Sequence, residues 1–263
     1  MTLRLNKGVA FSAIIRSGET SQDVTRCGET STENAAVKPT LPLLLSLNAG
    51  YVDTAGFLAL QGLFTAHVTG NFVTLGASLV LGISGVVAKL LALPVFCVVV
   101  MFSRLIGNRL RQRKLPALGI LLAVKLALLV AGAALAIRLG PFPSGDSLAA
   151  IATGMTLVAA MAIQNAVHRI HLSAAPPSTL MTGTTTQIMI DLGDLLGGVT
   201  ADARPAIVAR LKRMAAAVAV FAVGCGAAAL GFAFASVWCF VVPPVVALAA
   251  LVLRLSAPEE EAK

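Results

Sequence analysis

Charge is the scarcest commodity in this sequence. Only 12% of its 263 residues are Asp, Glu, Lys or Arg, about half of the roughly 25% usual in a soluble domain. Aromatic residues are scarce too, at 5%, which argues against an outer-membrane barrel with its short alternating strands and aromatic girdles. Cysteine supplies no framework. Cys97, Cys225 and Cys239 lie in apolar stretches, where the residue behaves as a small hydrophobe, and Cys27 lies near the N-terminus. No set of His, Cys and carboxylates has metal spacing, so no metal or other cofactor is expected. Gly-x-Ser-x-Gly, a Walker loop and His-Glu-x-x-His are also missing, which leaves the common hydrolase and ATPase routes unsupported.

What fills the chain is apolar sequence. Hydrophobic residues make up 57% and the mean hydropathy is +0.88. Several runs approach the roughly 20 residues that carry a helix across a bilayer. Their Ala, Leu, Val and Gly content predicts an all-α polytopic membrane protein whose first partner is the lipid bilayer. The net charge of +8 does not point to nucleic acid. Basic residues collect in short loops, at Arg104, Arg109, Arg111, Arg113 and Lys114 and again at Arg204, Arg210, Lys212 and Arg213, as the positive-inside rule requires.

Residues 1–38 differ in character, mixing charges of both signs with Ser and Thr, and read as a disordered cytoplasmic tail. Residues 39–256 read as the transmembrane domain and residues 257–263 as a cytoplasmic C-terminal tail. Eight apolar segments fill the domain: Leu41–Leu60, Phe64–Leu81, Val87–Ile106, Leu118–Leu139, Leu148–Val167, Thr179–Leu196, Met214–Phe234 and Val237–Leu255. The second and sixth are short and begin in Thr/Gly-rich sequence, each after an Asn-containing helix. The same order therefore occurs twice, in repeat 1 (about 41–139) and repeat 2 (about 148–255), with an offset near 115 residues set by Asn48 and Asn165 and by Thr69 and Thr182.

Charge arbitrates the topology. If all eight segments cross, the basic loops after the third and sixth fall on opposite sides. If the second and sixth are re-entrant, each half crosses three times. The halves become inverted repeats, and both basic loops lie on one side with the termini. This six-span arrangement is the expectation, with both termini cytoplasmic.

Polar groups inside apolar spans are functional-site candidates by default. The repeated element offers Asn48, Thr69, Gly70 and Asn71 in one half and Asn165, Thr182, Gly183 and Thr184 in the other. Gly lets backbone approach closely, and a half-helix N-terminus offers N–H groups to a small polar or anionic solute. Asp53 sits mid-span, and Lys125 lies eleven residues beyond Lys114, roughly 16 Å deep at 1.5 Å per residue. Each costs about 2.5–3.5 kcal/mol at mid-span, so each needs a partner. An ion pair of Lys125 with Asp53 or Asp191 is the natural expectation, structural or ion-coupling. His67 could titrate or bond the solute but reads more readily as structural, and Asp194 reads as structural at the cytoplasmic rim.

The segments Leu47-Asn48-Ala49-Gly50-Tyr51-Val52-Asp53-Thr54-Ala55-Gly56-Phe57, His67-Val68-Thr69-Gly70-Asn71, Met161-Ala162-Ile163-Gln164-Asn165-Ala166 and Met181-Thr182-Gly183-Thr184 together resemble the YoaK/UPF0700 family, also called DUF1275. The resemblance covers about Leu41 to Leu255. It implies a bacterial inner-membrane protein of about six spans with no established substrate. The reading that follows is a secondary transporter or permease for a small polar or anionic solute. A channel-like facilitator, a non-transporting scaffold with a possible homo-oligomeric state and an intramembrane enzyme are the rivals.

Overall fold

The computed structural model describes residues 40–256, so the readings placed on both tails lie outside the described residues. Among the described residues the regular structure is entirely helical. The elements are α1 (Leu41–Ala59), α2 (Gly70–Leu81), α3 (Val86–Gln112), α4 (Ala117–Leu139), α5 (Leu148–His171), α6 (Met181–Gly197), α7 (Arg204–Ala235) and α8 (Val242–Ser256), with a 3-10 turn over Ser236–Val241 between the last two. Four helical stretches are long and apolar enough to cross a membrane: Val86–Gln112, Ala117–Leu139, Leu148–His171 and Arg204–Ser256. The last is a continuous run broken at Ser236, whose φ of 48° ends α7. Pro243 and Pro244 then open α8, where missing N–H groups cost nothing. The short apolar helix Gly70–Leu81 accompanies these spans.

The helices start where their backbone groups can be satisfied. Pro42 opens α1, and the Ser147 hydroxyl accepts from Ala150 N (3.2 Å) to cap α5. The second and sixth apolar segments become helical only from Gly70 and Met181, later than their first apolar residues. Phe64 to Thr69 stays irregular because side chains take over its hydrogen bonds. Asn71 accepts from Phe64 N and donates to Phe64 O, both at 2.8 Å. At the other extreme, α3 and α7 carry their basic residues in helix beyond the apolar stretch, to Gln112 and from Arg204.

Contacts at the helix ends fix their directions. Gln61, just past α1, donates to the Phe142 carbonyl, just past α4 (3.2 Å). Gly85, at the start of α3, packs on Gln61 and Gly145. The C-terminal ends of α1 and α4 and the N-terminal ends of α3 and α5 thus share one end of the bundle, and the segment from Gln61 to Gly85 leaves and returns there. At the other end, His171 of α5 lies within range of the charges of Arg104 and Arg111 on α3 and Arg254 on α8. Two packing relations recur: α1 on α7 and α3 on α5, and α2 on α3 and α6 on α7. The helices α1, α5, α4 and α8 form a ring, each packed on the next. Its core runs from Leu45, Leu121, Leu122, Ile163 and Val167 to Val52, Leu129, Val158 and Met161.

Asp146 pins the first of these ends. Its carboxylate accepts from Gly85 N and Val87 N, both at 2.8 Å, and so caps α3 from another segment. Partial burial pushes its carboxyl up, but the amides of Gly85, Val87, Ala88 and Val86 outweigh this and hold it below its ordinary value of 3.8. The folded-state value is depressed, so this stabilisation is present above the ordinary carboxylate value and is lost as pH falls through the lowered one. Asp146→Ala is expected to cost about 1 kcal/mol, the usual worth of a cap. Hydrogen exchange at the amides of residues 85–88 is the check, with faster exchange in the variant at neutral pH and little difference in strong acid.

Candidate functional site

Asp53 is the organising residue. It lies two-thirds along α1, a helix whose buried residues also include Asn48, Ala49, Val52 and Ala55. One carboxylate oxygen accepts from Thr65 N (2.7 Å), Ala66 N (2.7 Å) and the Thr65 hydroxyl (3.3 Å). The other meets His67 Nδ1 at 2.6 Å. The loop after α1 is therefore folded back on the helix that precedes it. Hydrogen bonds to a charged acceptor contribute about 1.5–3 kcal/mol each, which offsets the cost of burying the carboxylate.

A second latch has the same sequence span. Asp53 and His67 are 14 residues apart, and so are Asn165 and Thr179. The Thr179 hydroxyl donates to Asn165 Oδ1 at 2.7 Å, and Asn165 Nδ2 donates back to Met161 O at 3.0 Å. Beside it, Gln164 Nε2 donates to Ser178 Oγ (3.1 Å) and to Leu45 O on α1 (2.8 Å). The Thr179 backbone carbonyl lies near the His67 ring, so the two loops approach each other. One latch is a carboxylate with an imidazole, the other an amide with a hydroxyl.

A groove of about 550 Å³ opens over the first latch, lined by Asp53, Phe57, Phe64, His67, Thr69 and Phe221 among others. Phe57 and Phe64 lie with ring centroids 4.8 Å apart, and His67 meets Phe221 edge-on at 5.5 Å. The result is an aromatic trough with an ionisable floor. A smaller cavity of about 100 Å³ lies beside the second latch, among Asn165, His168, Arg169, Ser173 and Thr179.

The predicted site residues divide. Asp53, Thr69 and Gly70 reach the groove, Asn165 borders the small cavity, and Asn71 is buried as the clamp on Phe64. Thr182 and Gly183 are exposed on α6 and line neither cavity, while Thr184 is buried and donates to Leu180 O (3.0 Å). The free N–H groups expected at the head of α2 are also occupied. Gly70 N, Asn71 N and Phe72 N bond to the carbonyls of His67, Val68 and Thr69 at 2.8, 3.1 and 3.2 Å.

The expected ion pair of Lys125 with Asp53 or Asp191 does not form. Asp53 is taken by the loop and His67. Asp191 is gripped by Arg210 through Nη2 (2.6 Å) and Nε (2.8 Å) and receives Gln187 Nε2 (2.8 Å). A fork-shaped guanidinium from the neighbouring helix satisfies two carboxylate oxygens at once, which a lysine cannot. Lys125 is fully buried with Nζ unpartnered, and so are both polar atoms of Asn48. His67 and Thr179, treated as structural or not singled out, join the site. The shared spacing of 14 was the available signal.

A family model described as a protein of unknown function (DUF1275) matches residues 41–253. The chain belongs to the DUF1275 family. The UPF0700 transmembrane protein YoaK of Bacillus subtilis (strain 168) is 51% identical over 45 residues, which cover 17% of this chain and 20% of that relative. The chain thus matches about a fifth of YoaK's length. No solved structure matches. Every residue of both latches, and the walls of both cavities, fall inside the DUF1275 match. The protein is a DUF1275 membrane protein with several apolar helices.

Proposed function

We propose that this protein is a secondary transporter or permease for a small polar or anionic solute, resident in the bacterial inner membrane with both termini cytoplasmic. The observation that carries the reading is the approach of two irregular loops, residues 60–69 and 172–180, each latched back onto the helix before it, beside an open groove. Irregular backbone at membrane depth is stable only when buried in protein or lining a cavity, and broken helices of this kind recur at transport sites built from inverted repeats. Residues 41–139 and 148–255 are read as such repeats. The recurring packing relations and the equal latch spacing support this. They align Asp53 with Asn165, displacing the earlier match of Asn48 to Asn165. The gathering of Arg104, Arg111 and Arg254 at the end where α5 finishes supports a cytoplasmic assignment for that end.

In this reading the solute enters the aromatic trough between α1 and α7. Its polar end lies against Thr69 and the exposed side of the His67 ring. Protonation of the Asp53–His67 pair then loosens or tightens the loop and opens the path toward the second latch. Two measurements test the proposal. In a cysteine-free background, Arg111→Cys and Arg204→Cys should be labelled from the same side and Pro143→Cys from the opposite one. Labelling of the first two from opposite sides defeats the inverted arrangement. In proteoliposomes, a panel of small metabolites should include one that drives proton movement. A protein that is stabilised by none and moves none is a scaffold.

A further inference from the structure

Within the ring of α1, α5, α4 and α8 lies a lysine amine with no partner. Leu45 of α1 packs in one layer with Leu121 and Leu122 of α4 and Ile163 of α5. One turn further along two helices that run the same way come Asn48 and Lys125. Gln164, next to Ile163 on the antiparallel α5, reaches the same layer through its side chain, which is tied to Leu45 O at 2.8 Å. All three residues are 0–1% exposed. Lys125 Nζ, Asn48 Oδ1, Asn48 Nδ2 and Gln164 Oε1 have no hydrogen-bond partner. Buried polar atoms are nearly always paired, so four orphans on three helices of one ring call for an occupant.

The chemistry of the orphans defines that occupant. The two amide oxygens can accept ammonium protons, but neither cancels its charge. The acidic groups of the described residues are committed or distant. Asp53 is held by its loop, Asp191 by Arg210 and Asp146 by the head of α3. Asp194 sits a turn beyond Asp191 on α6, and Asp202 lies between α6 and α7, both outside the ring. Asn48 Nδ2 adds a neutral donor beside the ammonium. The core that continues along the ring is apolar, with Val52, Leu129, Val158, Met161 and Ala247 in one buried cluster, and favours a small guest of low charge.

We propose that Lys125, Asn48 and Gln164 form an occluded binding site for one small monovalent anion, of halide to carboxylate size. The ammonium supplies the charge and Asn48 Nδ2 a directed donor. Gln164 orients the site by holding α5 to α1. The inference is separate from the transport reading, because it requires binding and not flux.

The test uses the full chain in lipid nanodiscs, with thermal unfolding and calorimetric titration by sodium chloride, nitrate, formate and acetate against gluconate at equal ionic strength. At least one small anion should raise the unfolding temperature in a saturable way, since a ligand of the folded state alone is stabilising. Lys125→Met should abolish the response, and Asn48→Ala should weaken binding at least tenfold. Asn48→Asp places a carboxylate beside the ammonium and should give a protein that needs no anion. It also provides the deciding comparison if Lys125→Met fails to fold. Identical stability in every salt, as for an occluded water only, overturns the proposal. So does an anion response that survives in Lys125→Met or Asn48→Asp. Anion binding without any solute flux would defeat the transporter and leave this site standing, and the reverse result would do the opposite.

Discussion

Asp53→Ala is expected to destabilise the protein by about 3–5 kcal/mol, the usual loss when one member of a buried charged pair is removed. The variant strands Thr65 N and Ala66 N, both otherwise 2.7 Å from the carboxylate, and leaves the His67 ring without its partner. Asp53→Asn should behave differently. Both loop amides use the same oxygen, and the asparagine carbonyl can replace it, so the loop stays folded. What disappears is the charge opposite His67, 2.6 Å away. The variant should therefore purify and unfold near the wild-type temperature while solute-dependent proton movement in proteoliposomes falls to background. Equal flux in Asp53→Asn and wild type would remove Asp53 from any coupling role. Loss of fold in both variants would assign it to architecture alone.

A bulky side chain at Gly50 or Gly224 should be worse than either. These glycines face each other across the α1–α7 contact. A methyl group on Gly50 would strike the Phe221 carbonyl oxygen, and one on Gly224 would strike the Leu47 carbonyl oxygen. The obstacles are backbone, which cannot rotate away, so the helices must separate. Small residues at such crossings are what allow helices to pack closely in membranes. Gly224→Val is expected to exceed the ordinary 1–3 kcal/mol of overpacking and to leave little folded protein in a detergent size-exclusion profile. Gly226→Val, two residues on and with nothing in contact range, is the matched control and should run as wild type.

The membrane class and the order of elements were legible because both rest on local properties, apolar run length and loop charge. Asp53 stood out for the same reason: a carboxylate in an apolar helix is conspicuous. Its partner was not legible. His67 lies across an irregular loop, and only the way Thr65 and Ala66 present their amides brings its ring to the carboxylate. Lys125 was misassigned because opposite sign says nothing about distance, and Arg210, from a loop read only as a topological signal, reaches Asp191 instead. Thr182 and Gly183 matched Thr69 and Gly70 as letters, yet they fall on the outward side of α6. Sequence repetition preserves residue type more readily than the rotation of a helix about its axis.

The unequal chemistry of the two latches sets a limit on work. Asp53–His67 is built of two ionisable side chains, whereas Asn165–Thr179 has nothing to ionise. In the proposed transporter, a conformational cycle that carries one proton through this pair moves one elementary charge. One elementary charge moving through 100 mV releases about 2.3 kcal/mol, and every 1.4 kcal/mol is a factor of ten. A neutral solute could then be concentrated no more than about 50-fold per 100 mV, a stoichiometric ceiling fixed by which of two matching positions holds a carboxylate.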